Sequence, residues 1–460
     1  MSPFPSRTSR WAAACAVALV TIAAHADVPR IRATPLGSLA GGNTEAVQIN
    51  GDGLIGGQSG HPFIAGGGMH AFVSQGAGPL TPLDTLGFHH SEVQALNDVG
   101  QVAGIGIIQD GAYYFRRVFR AGAGQPMFSV AGFAGEWGQV HAMNNAGDIV
   151  GAWDMQAGPE LRLGGFRYND DAGIAPLETF GGPESWAMDI NDTGGIVGWA
   201  QMPDGSRRAA FWHPQGFLMQ LVPWQWGVQS QLTAINNEEY MIGEVVDELG
   251  QPHGTLVFFF CPVMIGPWVD PQAAYVTTDV LSESGLVAGM RVSPQGDSRP
   301  YLLNAKTFEV TLIDLPEGQA AARPLALNNH GHMLVQALTE QYEPSLLLWT
   351  KERGYTDLTG ALVATFGTPL TLRTALNDLD QIVVTAEPDP STRAAVLIEV
   401  LPPCPGDLNA DNAVNQSDLG IVLADFGCSG PQCAGDVNGD GVVNQSDLGV
   451  LLAAFGTTCE

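Results

Sequence analysis

The stretch Ala95-Leu96-Asn97-Asp98-Val99-Gly100-Gln101-Val102-Ala103-Gly104 recurs, with changes, along most of this chain. It places a polar residue, and a glycine three positions later, between two short apolar runs. Equivalent turns begin at Asn50, Asn97, Asn144, Asn191, Asn236, Ser282, Asn328 and Asn377, at intervals of 45 to 49 residues. A nearly fixed period of this size is typical of a repeat architecture.

The pattern of each repeat predicts a β-hairpin. Asn or Ser at the first turn position and Gly at the fourth suit a type I turn. The Asn side chain bonds its own backbone, and Gly adopts positive φ without a Cβ clash. We therefore interpret these asparagines as turn formers and not as ligand-binding groups.

Each repeat contains four strand-like pieces: one before the turn, one after it, an aromatic or apolar piece such as His70-Ala71-Phe72, and a Pro/Leu piece such as Pro35-Leu36. Four antiparallel strands per unit of about 45 residues form the blade of a β-propeller. We predict a mainly β fold in which residues 27–400 form an eight-bladed β-propeller. Seven blades are the alternative, because the copies at Asn328 and Asn377 are degenerate.

The two ends of the repeat region differ in phase. The chain enters at a Pro/Leu piece and leaves at an aromatic piece, Ala394 to Val400. We expect the N-terminal segment to supply three strands of one blade and the C-terminal segment the fourth. Such pairing would close the ring and remove an open sheet edge.

The motifs His70-Ala71-Phe72 and Asn97 to Gly104 resemble the repeats of the bacterial extracellular HAF family. The resemblance covers about 370 residues, from roughly Arg32 to Val400. It implies no biochemical activity, because none is assigned to that family.

Residues 1–26 have the pattern of a secretory signal peptide. Arg7 and Arg10 precede an apolar run, Trp11 to Ala23, and Ala24-His25-Ala26 is a small-residue cleavage site. The formal net charge of −28 disfavours binding to nucleic acid or to an anionic membrane and favours binding to cations. We expect an exported protein, extracellular, at the cell surface or periplasmic, without a membrane span.

The repeats carry little recognisable chemistry, since they lack a nucleophile elbow, a His-Glu-x-x-His motif, a P-loop and a dinucleotide fingerprint. The paired histidines, His89-His90 and His330/His332, are interpreted as solvated loop residues. The adjacent carboxylates Asp170 and Asp171 point apart, which disfavours a general acid–base pair. Six tryptophans either stack on sugar rings or fill the wedge between blades, and we favour the wedge: Trp137, Trp153, Trp186, Trp199, Trp224 and Trp226.

After a linker at 401–405, residues 406–460 contain two near-identical copies of a twelve-residue loop. Side-chain oxygens fall at loop positions 1, 3, 5, 9 and 12, and position 7 offers a backbone carbonyl, which is the ligand set of a Ca²⁺ loop. The predicted ligands are Asp407, Asn409, Asp411, Ala413, Asn415 and Asp418 in the first copy, and Asp436, Asn438, Asp440, Val442, Asn444 and Asp447 in the second.

A short helix is predicted after each loop, because apolar residues follow at i, i+3, i+4 and i+7. Gly427 and Gly456 are the expected C-terminal caps. The apolar stripes are Leu419, Val422, Leu423 and Phe426, and Leu448, Leu451, Leu452 and Phe455.

This duplicated loop–helix, with Asp at loop position 12, resembles a type I dockerin over residues 406–456. The resemblance implies two Ca²⁺ ions, folding that depends on them, and docking onto a cohesin-like protein. It also implies that positions 10 and 11 select the partner. These are Gln416 and Ser417, and Gln445 and Ser446, which are the same in both copies and allow two binding modes.

The cysteines of the tail bracket the two copies at equivalent places. We predict Cys404–Cys428 and Cys433–Cys459 disulfides, with nested pairing Cys404–Cys459 as the main alternative. Cys261 is left over, and we expect it to be buried beside Phe258 to Phe260.

These patterns predict an exported, non-catalytic binding or scaffold protein, with the propeller as a ligand- or glycan-binding surface and the tail as its attachment. The alternative is a polysaccharide hydrolase or lyase with its active site at the propeller channel. Two or three carboxylates or histidines from different blades, converging at one mouth of the ring, would favour the enzyme.

Overall fold

The computed structural model describes residues 29–39, 42–64, 67–111, 113–122, 125–130, 137–154, 163–367, 371–389, 392–401, 404–409, 413–430 and 433–459. The expected signal peptide, 1–26, lies outside these residues. The chain divides into two compact units, Ile31–Val400 and a second one that contains the residues from Leu401 onward. We call the part from Leu401 onward the tail. Within the described ranges no helix is long and apolar enough to cross a membrane.

The first unit consists of antiparallel sheets whose strands follow one another along the chain. Five sheets of four strands come first: β2 Asn43–Ile49, β3 Leu54–Ile64, β4 Gly67–Gln75 and β5 Thr81–Pro82; β6 His90–Leu96, β7 Gln101–Asp110, β8 Tyr113–Gly122 and β9 Gln125–Ser129; β10 Gly138–Met143, β11 Ile149–Asp154, β12 Leu163–Asn169 and β13 Gly173–Pro176; β14 Ser185–Ile190, β15 Ile196–Gln201, β16 Arg207–Trp212 and β17 Leu218–Gln220; β18 Gln229–Ile235, β19 Met241–Val246, β20 Pro252–Phe258 and β21 Cys261–Met264.

A nine-stranded sheet follows, made of two antiparallel groups. A single parallel residue pair, Ser298 with Ala321, joins them. The first group is β22 Tyr275–Val276, β23 Val280–Leu281, β24 Leu286–Val292, β25 Ser298–Asn304 and β26 Val310–Leu312, and the second is β27 Ala321–Leu327, β28 Met333–Leu338, β29 Pro344–Thr350 and β30 Gly354–Asp357. Short helices lie between sheets at α1 Gly266–Val269 and α2 Thr359–Phe366, and a 3₁₀ turn spans Trp224–Trp226.

The last sheet joins the two ends of the repeat region. Its strand order is β1 Arg30–Pro35, β33 Thr392–Leu401, β32 Gln381–Asp389 and β31 Thr371–Leu376. The expected division of strands was therefore wrong: the N-terminal segment supplies one strand and the C-terminal segment three. The reason is that the Pro/Leu piece is the last strand of each repeat, so a chain that enters there contributes that strand alone.

A glycine in the second strand allows the sheets to form. The first strand of most sheets bulges just before its turn, as between Val93 and Ala95. A Cβ added to Gly104 would lie 1.8 Å from the Glu92 carbonyl oxygen and 2.9 Å from the Phe119 ring. Five other glycines at this position would meet a backbone oxygen at 1.9 to 2.1 Å: Gly57, Gly151, Gly198, Gly243 and Gly289. In these six sheets only glycine fits beside the bulged strand, whereas Val335 and Val384 occupy the equivalent position in the last two sheets.

Apolar side chains fill the space between successive sheets. The aromatic residue of the third strand is fully buried in five of them, at Phe72, Phe119, Phe166, Phe211 and Tyr301. One cluster joins Ile105 and Val118 of the second sheet to Val140 and Ile149 of the third. Consecutive four-stranded meanders that pack face to face, with one sheet shared by both chain ends, form a β-propeller.

Candidate functional site

The eight turn residues form a hydrogen-bonded ring, and all of them are buried. The Asn97 Oδ1 atom accepts the Gln101 N–H at 2.8 Å, which builds the local turn. The Asn97 Nδ2 atom donates to the backbone carbonyl of Asn144, the turn residue of the next sheet, at 2.9 Å. The same step occurs from Asn50 to Asn97, Asn144 to Asn191, Asn191 to Asn236, Asn236 to Ser282, Asn328 to Asn377, and Asn377 to Asn50.

Ser282 is the only turn residue in this ring without an amide. There Ser284 makes the link, because its Oγ donates to the Asn329 carbonyl at 3.0 Å and its N–H donates to Asn329 Oδ1 at 2.9 Å. The interpretation of the asparagines as turn formers was therefore correct but incomplete. Each also connects its sheet to the next one, and the last link returns to the first.

Acidic side chains from four repeats line the channel mouth beside this ring. They occupy the position after the turn residue, as in Asp98, Asp192, Glu283 and Asp378. Each accepts the equivalent backbone N–H of the preceding repeat, for example Asn145 N to Asp192 Oδ1 at 2.8 Å. Asparagine fills the same position at Asn145, Asn237 and Asn329. This near-alternation of acid and amide at a fixed offset was visible in the sequence and was missed there.

Asp189 lies deeper in the same mouth, in a cavity of ≈ 190 Å³. Its Oδ1 accepts the Ile190 N–H and its Oδ2 accepts the Ile235 N–H, both at 2.9 Å. Although the cavity reaches it, protein surrounds this carboxyl, and that desolvation raises the pKa of Asp189 to about 7. Burial and neighbouring acidic groups also raise the pKa of Glu283. Carboxyl groups from different repeats thus converge at one mouth, and two of them hold protons more tightly than usual.

The paired histidines have protein partners. His90 Nε2 lies 2.6 Å from Glu92 Oε1, and His332 Nδ1 lies 2.7 Å from Asp380 Oδ1. In the described part of the chain, neither pair belongs to a group of three potential metal ligands. Asp170 forms an ion pair with Arg120, and this contact lowers the pKa of Asp170. An ionised, paired carboxylate is a poor general acid.

The tryptophans cover one another rather than an open groove. The Trp186 ring stacks on Trp199 at 6.2 Å and on His141 at 5.0 Å. Trp137 approaches it at 5.8 Å, and the Arg207 guanidinium covers Trp199 at 4.2 Å. The Trp186 ring thus contacts three other rings, which favours wedge filling over sugar stacking. Trp153 and Trp226 pack against core clusters, and the Trp224 side chain lies outside the described residues.

The tail contains two helices, α3 Gln416–Ala424 and α4 Gln445–Ala454. Each begins with a capping box in which the loop-position-9 Asn side chain accepts the N–H of Ser417 or Ser446 at 2.7 Å. The position-12 residues, Asp418 and Asp447, are fully buried. Asp418 accepts three backbone N–H groups of its own loop, which fixes the loop against the helix start.

The second loop brings carboxylates together. One oxygen each from Asp436, Asp440 and Asp447 lies within 4.8 Å of the others. Asp436 Oδ2 accepts the Gly441 N–H at 2.8 Å, whereas its Oδ1 is buried without a hydrogen-bond partner. Gly441 has φ +84°, the conformation that the sharp turn of a Ca²⁺ loop needs. A buried, unpaired carboxylate oxygen among three acids fits a divalent cation.

The first loop is described in part. Asp407, Asn409, Ala413, Asn415 and Asp418 belong to the described residues, but Asp411 lies outside them. Asn415 and Asp418 form the same capping box as their counterparts in the second copy.

The disulfides are Cys404–Cys459 and Cys428–Cys433, so the favoured prediction was wrong and the nested alternative is confirmed. Two isolated antiparallel β-bridges explain this disulfide pairing. One joins Ala413 of the first loop to Thr458, and the other joins Ser429 to Val442 of the second loop. The segment after each helix therefore lies against the loop of the other copy. The cysteine that follows one helix meets the cysteine that precedes the other loop.

The same exchange replaces the predicted helix caps. Gly427 donates its N–H to the Val443 carbonyl, and Gly456 donates to the Val414 carbonyl, both at 2.8 Å. Each glycine thus bonds the other copy's loop instead of its own helix. The predicted apolar stripes are divided, because Val422 and Leu451 are buried while four other members are exposed: Leu423, Phe426, Leu452 and Phe455. Gln416, Ser417, Gln445 and Ser446 are exposed as well.

Cys261 was expected to be buried, but it is exposed at the start of β21. Phe259 and Phe260 form the two-residue turn before it, both with positive φ. Cys261 pairs with Phe258 across this turn and is exposed.

No protein-family model matches the chain. No curated protein matches it either. Among solved structures, it is similar to a prolyl endopeptidase (13% identity, 72% of this chain and 50% of that one, TM-score 0.47) and to TolB from Acinetobacter baumannii (12%, 56% and 62%, TM-score 0.33). It is also similar to the β-propeller domain of the Trilobed protease from Pyrococcus furiosus (8%, 69% and 97%, TM-score 0.45). The chain thus spans about half of the endopeptidase and less than two thirds of TolB, and these likenesses carry no functional argument.

Proposed function

We propose that this chain is an exported, non-catalytic binding protein. In this proposal an eight-bladed β-propeller presents the binding surface, and a calcium-dependent, dockerin-like tail attaches it to a cohesin-like partner. The two disulfides of the tail are the kind of support that small exported domains use.

The hydrogen-bonded ring supports eight blades rather than seven. It passes through eight turn residues and returns from Asn377 to Asn50 at 3.0 Å. A seven-bladed ring would leave one turn residue without its place in the series. The degenerate copies at Asn328 and Asn377 keep their links, which are 3.2 and 3.0 Å long.

The calcium proposal is carried by the unpaired, buried Asp436 Oδ1 atom beside Asp440 and Asp447. A Ca²⁺ ion in this loop would offset two of the three carboxylate charges and take the remaining oxygens from Asn438, the Val442 carbonyl and Asn444. The equivalent set of the first loop is Asp407, Asn409, Asp411, Ala413, Asn415 and Asp418.

Calorimetric titration of the full chain with Ca²⁺ tests this proposal. We expect two ions per chain for the natural protein and one for Asp436→Ala. Glu340→Ala removes an exposed carboxylate of the propeller and is the matched control, with two ions expected. A natural protein that binds no Ca²⁺, or an Asp436→Ala variant that still binds two ions, would contradict it.

The attachment proposal rests on the exposed helix surfaces, which occur in duplicate. Gln416 and Ser417 have exposed counterparts at Gln445 and Ser446, so either copy could contact the partner. A panel of purified type I cohesin modules tests this arrangement. We expect binding to survive charge substitutions at one pair and to disappear when both pairs are changed. Loss of binding on changing one pair would contradict the two binding modes.

A glycan hydrolase or lyase is the second candidate, because Asp189 and Glu283 meet at one channel mouth with raised pKa values. A carboxyl with a pKa of about 7 is suited to general acid catalysis near neutral pH. Reducing-sugar release from a panel of polysaccharides tests this function. Turnover that falls above pH 7 and disappears in Asp189→Asn would favour the enzyme over the binding protein.

A further inference from the structure

The charged side chains of the tail are all acidic. From Leu401 to Glu460 the sequence contains no Lys, Arg or His. The acidic residues are Asp407, Asp411, Asp418, Asp425, Asp436, Asp440, Asp447 and Glu460. A buried carboxylate needs an opposite charge or several hydrogen bonds to offset the loss of water. A cation that balances this charge must therefore come from outside the tail, either as a metal ion or as a side chain.

Arg30 supplies such a cation to the first loop. It is grouped with the tail in one compact unit. Its Nη1 atom lies 3.8 Å from Asp407 Oδ2, and its Nη2 atom donates to the Cys459 carbonyl at 3.0 Å. The Asp407 side chain is fully buried, and the Arg30 side chain is 22% exposed. Among the described residues, Arg30 is the only basic side chain that forms an ion pair or a hydrogen bond with the tail.

The two loops therefore differ at position 1, although their sequences are nearly identical. In the first loop, the position-1 carboxylate of Asp407 has a guanidinium beside it. In the second loop, the equivalent Asp436 has a buried Oδ1 atom without a hydrogen-bond partner. The place that a metal ion would take beside the first ligand is thus approached by a side-chain cation in one copy only.

We propose that Arg30 is a built-in counterion of the first loop, and that the second loop therefore binds Ca²⁺ more tightly and fills first. This inference rests on the proposed calcium function. Two cations that share one carboxylate repel each other at close range. Calcium must therefore displace Arg30 from Asp407 in the first loop, whereas it meets no guanidinium in the second.

The second contact of Arg30 strengthens this competition. Thr458, which precedes the Cys459 carbonyl, pairs with Ala413 of the first loop. The guanidinium thus joins the loop to the segment that lies against it. Exposed ion pairs have small effects on such equilibria and buried pairs have large ones. For this half-buried pair we expect Arg30 to raise the dissociation constant of the first loop for Ca²⁺ by about tenfold.

Variants with one loop disabled measure each loop separately, by calorimetric titration of the full chain with Ca²⁺. In Asp436→Ala the first loop remains, and adding Arg30→Gln should lower its dissociation constant about tenfold. The matched control adds Arg32→Gln instead, which removes the same charge from a pair with Glu399 and should have no effect. In Asp407→Ala the second loop remains, and Arg30→Gln should leave its affinity unchanged.

The same titration of the natural protein does not depend on the folding of those variants. We expect two steps, and Arg30→Gln should bring them closer together. Unequal sites alone would not implicate Arg30, because Asn412 replaces the loop glycine in the first copy.

The outcomes separate this inference from the calcium proposal itself. Two equal sites in the natural protein, an Arg30→Gln variant that titrates like the natural protein, or an equal effect of Arg32→Gln would overturn the inference and leave the calcium proposal standing. A chain that binds no Ca²⁺ would contradict the calcium proposal and the inference with it.

Discussion

The propeller and the tail are both built from repeats, but the repeats are joined in opposite ways. In the propeller, each asparagine donates to the next turn, and neutral backbone and amide groups complete the ring. In the tail, two copies exchange their ends, and disulfides and clustered carboxylates complete the structure. Neutral groups thus join the repeats of the propeller, whereas the second loop of the tail brings three carboxylates together.

Calcium removal should separate the two units most clearly. If two bound ions each contribute about 4 kcal/mol at a thousand times their dissociation constant, their loss exceeds the stability of so small a domain. In calorimetry with EDTA we expect the transition of the tail to disappear while the transition of the propeller stays in place. A propeller transition that also shifted with EDTA, or a tail transition that did not change, would contradict the expectation that Ca²⁺ stabilises the tail alone.

Gly104→Ala should have the largest effect of a single change in the propeller. The added Cβ would meet the Glu92 carbonyl at 1.8 Å, and backbone cannot yield as a flexible side chain does. We expect a loss of about 3 kcal/mol or more in the unfolding free energy, measured by denaturant titration. Gly360→Ala is the control, because nothing lies within 4 Å of its added Cβ. Equal stability of the two variants would refute the close-approach argument.

Asn144→Ala tests the ring itself. It removes the Nδ2 bond to Asn191 and leaves the Asp148 N–H without its acceptor. An unsatisfied buried polar group costs about 1–3 kcal/mol, so we expect a loss in this range on denaturant titration. Asn145→Ala, at the neighbouring half-buried position, should cost less. The reverse order would contradict a role for the buried amides.

Asp189 should give the propeller its own pH dependence. Its pKa is about 7 in the folded protein against 3.8 for a free aspartate, so between these values the folded state binds one proton more than the unfolded state. Unfolding free energy therefore falls as pH rises from 4 to 7 and then stays level. Relative to Asp189→Asn, we expect the natural protein to lose about 4 kcal/mol across this window, since one pKa unit corresponds to about 1.4 kcal/mol. A pH-independent difference between the two proteins would show that the carboxyl titrates normally.

The sequence predicts local structure well where the conformational preference of a single residue type determines the backbone conformation. The period and the turn glycines predicted the hairpins and the propeller class, and the apolar stripes after the two loops predicted two helices in the tail. The positions of Asn97 and Gly100 in the turn could be assigned from the sequence, because a β-turn depends on residues only three apart.

The sequence could not predict contacts that depend on packing between repeats. The Nδ2 bonds of the ring join residues 45 to 49 positions apart, so no local pattern reveals them. The disulfide pairing failed for the same reason, since equivalent positions suggested pairing within a copy while the chain exchanges ends between copies. Asp189 had no signal at all, because its raised pKa comes from burial by protein packed around it in the fold. The exposure of Cys261 depends on a turn of two phenylalanines that local preferences argue against.

The exchange of ends within the tail has a consequence for a polypeptide carrying one copy alone. In such a fragment, the loop would lack the segment that pairs with it, and the segment after the helix would lack the loop with which it pairs. Because the copies are nearly identical, two fragments could supply each other's missing part. A single-copy peptide should therefore associate in pairs, and the present tail resembles such a pair fused into one polypeptide.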